Sequence, residues 1–130
     1  KSVNDTYGHP TGDRVIKSVA RLLQQRLRKT DFIGRYGGEE FGVILPDTVL
    51  ETGRILAEKI RTGIAGKRFR KKQTGEELSS ITISLGIAQY RSAEALVDFI
   101  QRADDGLYQA KRTGQNKVSI ETELANSAAE

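Results

Sequence analysis

Apolar positions along the chain fall into helical and strand-like periods in turn. Between about Thr11 and Arg28, Val15, Ile16, Val19, Leu22, Leu23 and Leu27 keep the three-to-four spacing of an amphipathic helix. Two short β-like runs follow, Asp31–Tyr36 and Phe41–Leu45, linked by Gly37-Gly38-Glu39-Glu40. A glycine-bearing link of this length predicts a β-hairpin, because glycine supplies the positive φ of a tight reversal. Pro46 stops the second run. A second helix is expected from about Thr48 to Ile64, with Leu50, Ile55, Leu56, Ile60 and Ile64 on its apolar side. Ile81, Ile83, Leu85 and Ile87 then alternate with Thr82, Ser84 and Gly86, which is the period of a strand. Ser92–Arg112 reads as helix, in one or two pieces, with Leu96, Ile100, Ala103, Leu107 and Ala110 turned inward and Gly114 as its stop. Lys117–Ile120 forms a last short strand before a polar tail.

The expected order is α-β-β-α-(β)-β-α-β, an α+β fold in which helices cover a mostly antiparallel sheet. Residues 1–120 are expected to form one domain and residues 121–130 a polar, frayed tail. The first residues are polar and turn-rich and lead straight into a helix, with no strand before it.

Composition narrows the chemistry. The chain has 130 residues, no cysteine and a single histidine, His9, so disulfides, thiolate metal sites, cysteine nucleophiles and imidazole clusters are excluded. A reducing, cytoplasmic setting is expected, with any membrane anchor lying upstream. No apolar run approaches the ~20 residues that cross a bilayer. A net charge of +4 favours anionic ligands without choosing among them. The segment Gly66–Lys72 carries five basic residues around Phe69 but lacks interleaved aromatics and a recognition motif, so it reads as a solvated edge strand and loop, and no nucleic-acid partner is expected.

The hairpin link holds the most informative chemistry. Gly37 and Gly38 have no Cβ, so another molecule can approach the backbone and find N–H groups open to an anion. Two adjacent carboxylates, Glu39 and Glu40, concentrate negative charge unless a cation sits beside them. Mg²⁺ is held by one or two carboxylates together with substrate phosphates. A metal–phosphate site therefore fits the pentapeptide, and so does a solvated turn; taken alone, Gly37–Phe41 does not decide between them.

The wider sequence does. Gly37–Phe41 resembles the signature of the GGDEF family, the diguanylate cyclases, in its GGEEF variant. Lys1-Ser-Val-Asn4-Asp-Thr-Tyr-Gly8-His9-Pro-Thr-Gly12-Asp13 is similar to the family's K-x-x-N-D-x-x-G-H-x-x-G-D segment. Ile81–Ala88 resembles V-T-x-S-x-G-I-A, and Arg102–Lys111 resembles R-A-D-x-A-L-Y-x-A-K. Gly114-Gln115-Asn116 matches G-R-N except in the middle, and Arg35-Tyr36 leads into the signature as the family's R-Y does. These motifs follow the family's order and spacing over nearly the whole chain.

The resemblance implies a palm-like fold related to nucleotidyl cyclases and polymerases, and condensation of two GTP into cyclic di-GMP with release of two pyrophosphates. It implies that Asn4 and Asp13 read guanine, whose N1–H and exocyclic amine suit an amide oxygen and a carboxylate. Considered singly, the alternatives are a turn residue at Asn4 and a helix N-cap at Asp13. Glu39 would be a ligand of Mg²⁺ or Mn²⁺, and Glu40 would activate the attacking hydroxyl or hold a second ion. Gly37 and Gly38 would lie against the phosphates, Lys111 would contact the β- and γ-phosphates, and Lys1 would belong to the same substrate-binding set. Arg28-Lys-Thr-Asp31 resembles the family's R-x-x-D site for inhibitory cyclic di-GMP, about 20 Å of extended strand from Gly37. Its alternative is a surface ion pair at a helix end. A homodimer is implied for catalysis, with an upstream sensor domain driving it.

Two departures matter. The family's D-x-D-x-F-K strand survives only as Lys1, so a fragment lacking one metal ligand and a first strand is expected to be impaired. Gln115 stands where the family has an arginine, replacing a phosphate-facing cation by an amide. The rival function is a GTP- or cyclic di-GMP-binding regulatory module without turnover.

Overall fold

A computed structural model describes residues 9–37, 39–70, 74–77 and 81–120. The elements run α1 (His9–Arg26), β1 (Phe32–Gly37), β2 (Glu40–Ile44), α2 (Leu50–Ala65), β3 (Leu85–Ile87), α3 (Leu96–Arg112) and β4 (Val118–Ile120). They form two compact units, one from residues 1–47 and 67–81, the other from residues 48–66 and 82–130.

In the first unit, Val15, Ile16, Val19 and Leu23 of α1 are buried, as their spacing requires, and Phe69 and Ile81 are buried in the same unit. The antiparallel hairpin pairs Phe32 with Ile44, Ile33 with Val43, Gly34 with Gly42 and Arg35 with Phe41. Its strands stay largely open to solvent, with Phe32 and Tyr36 about two-thirds exposed. The basic segment after α2 is fastened at Arg70, which bridges antiparallel to Glu77 and whose carbonyl accepts from Arg14 Nη2 at 2.7 Å.

The second unit is a β-α-β arrangement flanked by α2. β3 and β4 run parallel, pairing Leu85 with Val118, Gly86 with Ser119 and Ile87 with Ile120, and α3 makes the crossover a parallel pair needs. Gly86 and Gly106 let α3 lie directly on this pair. A Cβ at Gly86 would fall 2.1 Å from both Ala103 O and Leu107 N, and one at Gly106 would fall 2.9 Å from Ser119 O. Arg102 ties α3 to the segment before it, donating to Glu94 at 2.6 and 2.8 Å and to Gln89 O at 2.6 Å. Gln89 Oε1 in turn accepts the Leu50 N–H at 2.8 Å, since the N-cap of α2, Val49, has no side chain able to do so. Among the described residues no helix is long and apolar enough to cross a membrane.

Several expected faces are corrected. The buried stripe of α2 is Gly53, Ala57, Ile60 and Ile64, while Ile55 is half exposed on the opposite side. On α3 the buried residues are Gly106 and Ala110, whereas Leu96 and Ile100 are exposed. Ile60 and Ile64 are buried as expected, whereas on α3 contact is made where Gly106 lets backbones approach, a signal that side-chain hydrophobicity does not carry. The strand expected over Ile81–Ile87 is ladder-paired only from Leu85, and α3 starts at Leu96 because Ala93 turns the chain with φ 62°. Gly114 has φ 121° just beyond the α3 cap, and Gln115 N–H bonds back to Ala110 O at 2.9 Å, the six-to-one bond of a Schellman stop.

Candidate functional site

The reversal of the hairpin is tighter than a four-residue link. Gly37 pairs directly with Glu40, and the register shifts between Arg35 and Gly37, making Tyr36 the extra residue of a bulge. Glu39 therefore stands in the turn and Glu40 opens β2, both exposed. Gly37 lies within β1 and is not among the positive-φ residues. The chain reverses beyond it. A Cβ at Gly37 would meet nothing within 4 Å, so the approach to the backbone there is open. Gly38, like Lys1 and Asn4, lies outside the described residues.

Two neighbouring carboxylates give hard oxygen donors of the kind Mg²⁺ or Mn²⁺ accepts. Among the described residues no group of three or more His, Cys, Asp or Glu gathers into a cage. The donor set thus fits an ion completed by a ligand's own phosphates.

Asp13 lies inside α1, past its first turn, and is exposed in the same unit as the hairpin. Its position rules out the N-cap role. At the other end of α1, Arg28 and Asp31 form a close pair. Arg28 Nη2 donates to Asp31 Oδ1 at 2.8 Å and Nε at 3.1 Å, while the Arg28 backbone N–H donates to Oδ2 at 2.7 Å. Arg28 Nη2 also reaches Pro46 O at 2.8 Å, so the pair straps the base of the hairpin. The Asp31 side chain is 1% exposed and that of Arg28 54%. Hydrogen bonding from Arg28 holds the Asp31 carboxyl below its ordinary value, and the same bond raises the guanidinium.

Lys111 belongs to the second unit, exposed in the last turn of α3 beside Arg112. The turn that follows is tightly held. Thr113 donates to Gln109 O through its hydroxyl at 2.7 Å, and Lys117 Nζ donates to Thr113 O at 2.7 Å. Gln115 and Asn116 both take left-handed φ, 59° and 48°. That region costs most residues roughly 1–2 kcal/mol, though asparagine enters it readily. Asn116 is fixed from two sides. Its N–H donates to Ser84 Oγ at 3.1 Å, and its Oδ1 accepts from Arg61 Nη1 at 3.0 Å. Arg61 is itself held by Glu58, with Nη2 to Oε2 at 2.8 Å, and this bond raises its pKa.

Arg61 and Glu58 are absent from the residues singled out by sequence, and Ser84 enters there only as a polar position of the expected strand. The i,i+3 spacing of Glu58 and Arg61 announces a helix-surface pair and nothing more. The receiving segment lies 55 residues away and leaves no local trace.

Comparison with known proteins extends this picture. The family model described as "Diguanylate cyclase, GGDEF domain" matches residues 1–117. The diguanylate cyclase DgcP of Pseudomonas aeruginosa is 48% identical over 120 residues, which cover 92% of this chain and 17% of that protein. The GGDEF domain of DgcB from Caulobacter crescentus, crystallised with c-di-GMP, superposes with a TM-score of 0.88 at 37% identity, over 92% of this chain and 70% of that one. The active GGEEF domain of a diguanylate cyclase from Vibrio cholerae gives 0.80 at 36% identity, over 92% and 74%. The α+β architecture of helices on a small, mostly antiparallel set of strands is the one these structures share.

Proposed function

The chain belongs to the GGDEF family of diguanylate cyclase domains, and from that premise we propose that it condenses two molecules of GTP into cyclic di-GMP. The observation that carries this reading is the hairpin reversal, where the Gly37–Glu40 pair leaves Glu39 and Glu40 exposed at an open glycine-bearing bend. Each GTP gives its 3′-hydroxyl to the other's α-phosphate. Two P–O ester bonds form, two α–β anhydride bonds break, two pyrophosphates leave and two hydroxyl protons are released. Such chemistry asks the protein for positioning and for neutralisation of phosphate charge.

In this reading Glu39 holds a divalent cation, and Glu40 holds a second or takes the hydroxyl proton. Mg²⁺ or Mn²⁺, when bound, supplies charge neutralisation at the phosphates. Asn4 and Asp13 accept from the guanine edge, Gly37 and Gly38 admit the phosphates, and Lys111, with Lys1, contributes positive charge to them. Because each product ring needs two nucleotides in reciprocal attack, two copies related by a two-fold axis must face each other. A sensor segment in the longer protein would govern that encounter; most of the length of the DgcP relative lies outside the match.

Product inhibition belongs to the same proposal. Arg28 presents a half-exposed guanidinium suited to a phosphate or a guanine face. Asp31 is covered by it, so the carboxylate would meet a guanine edge only after Arg28 swings outward.

The test is incubation of the full-length protein with GTP and Mg²⁺, followed by chromatography of the nucleotides. Cyclic di-GMP and two equivalents of pyrophosphate are expected. GTP binding without product would overturn the cyclase reading in favour of a nucleotide-binding regulatory module.

A further inference from the structure

We propose that Arg61 is a positioning residue for nucleotide phosphate, acting through Asn116 on the turn that follows α3. The inference rests on the phosphate role given above to Lys111. It adds a residue from a different helix that never touches the nucleotide.

The turn carries an unusual demand. Gly114, Gln115 and Asn116 are three successive residues with positive φ, and two of them bear side chains. Such a path persists only where its surroundings over-determine it. Arg61 supplies the surroundings from α2, spanning Glu58 at 2.8 Å on one side and Asn116 Oδ1 at 3.0 Å and Asn116 O at 3.3 Å on the other. Ser84 Oγ holds the Asn116 N–H, and the Leu85 N–H donates to Lys117 O at 3.0 Å. Nη1 makes both bonds to Asn116 while Nε and Nη2 are held by Glu58, so one planar guanidinium spans the α2 carboxylate and the turn. A fork is what that geometry requires; an ammonium offers one point charge.

The same turn decides whether the end of α3 tolerates an anion. A helix C-terminus is the negative end of the peptide dipoles. Here Ala110 O is taken by the Gln115 N–H, Gln109 O by the Thr113 N–H and hydroxyl, and Thr113 O by Lys117 Nζ. With these carbonyls occupied, Lys111 and the exposed amide of Gln115 can present donors to phosphate. If the turn relaxes out of the left-handed region, the Gln115 bond to Ala110 is lost and a bare carbonyl faces the ligand.

Arg61→Lys and Asn116→Gly separate this role from simple packing. Glycine keeps the left-handed backbone at position 116 while removing the side-chain acceptor. Dissociation constants for GTP with Mg²⁺ are measured on the full-length protein by calorimetry, alongside thermal midpoints. Each single variant is expected to weaken GTP binding about tenfold. The double variant should be no weaker than the poorer single one, with midpoints close to wild type. Affinity within twofold of wild type in Arg61→Lys, or losses that multiply in the double variant, would overturn the proposal. So would losses that merely track a falling midpoint. If wild type binds GTP but makes no cyclic product, the cyclase reading fails alone and the affinity series still decides the role of Arg61. If it binds no GTP, both fail.

Discussion

The hairpin of the first unit and the post-α3 turn of the second are built on opposite plans. The hairpin is a two-stranded ribbon with Phe32, Tyr36, Val43 and Ile44 exposed, and its tip is made of glycine and carboxylate. The turn is short, strained and gripped by Arg61, Ser84 and Lys117. Adjacent carboxylates at an exposed tip favour a cation beside them. A cationic helix end proposed to meet phosphate needs its shape beforehand, because a helix terminus left to itself presents carbonyls. The contrast sets an open, exposed tip against a turn whose hydrogen bonds are already made.

The largest expected break falls on the scaffold of the rigid end. Gly86→Ala drives a Cβ to 2.1 Å from the backbone of α3, where nothing can give, and should destabilise the second unit by about 4 kcal/mol or more. Gly42→Ala on the hairpin meets nothing within 4 Å and should stay within about 0.5 kcal/mol. Urea unfolding of the two variants measures the asymmetry directly. Next in size is Glu39→Gln, expected to lower the rate of cyclic di-GMP formation by about 100-fold with an unchanged unfolding midpoint, since the residue is exposed. A parallel loss of stability would mean that the tip is structural.

Arg28→Ala should raise the cyclic di-GMP concentration for half-inhibition about tenfold, read from initial rates at increasing product. The smallest effect is acid-dependent. Hydrogen bonding from Arg102 holds Glu94 at about 2, below its ordinary 4.5. Its stabilisation is therefore complete above pH 4.5 and is lost as pH falls toward 2. Asp31 is shifted in the same direction by Arg28 in the other unit. Glu94→Gln should flatten the fall in thermal midpoint over that window by a few degrees, and an unchanged slope would remove Glu94 from the acid response.

What could be read beforehand follows the same division. The hairpin, its carboxylates and the Arg28–Asp31 pair are local in sequence, and periodicity with short motifs located them. The helices were legible too, because Val15, Val19 and Leu23 repeat as a buried stripe must. The inward faces of α2 and α3 were legible at Ile60, Ile64 and Ala110 but not at Gly53 and Gly106, since glycine carries no hydrophobic signal. Alternation from Ile81 promised a long strand, yet the ladder is limited to the three residues that β4 matches. Arg61 and Asn116 meet only because β3, β4 and α2 pack together, and no short-range pattern encodes such a meeting.

Gln89 has a consequence for the order in which the molecule is made. The first N–H of α2 is satisfied by a side chain 39 residues later, and the backbone of Gln89 is held by Arg102, later still. During synthesis α2 leaves the ribosome without the group that closes its leading turn. That side-chain cap forms only once Gln89 has emerged, so a nascent chain stalled before Gln89 would start α2 without it.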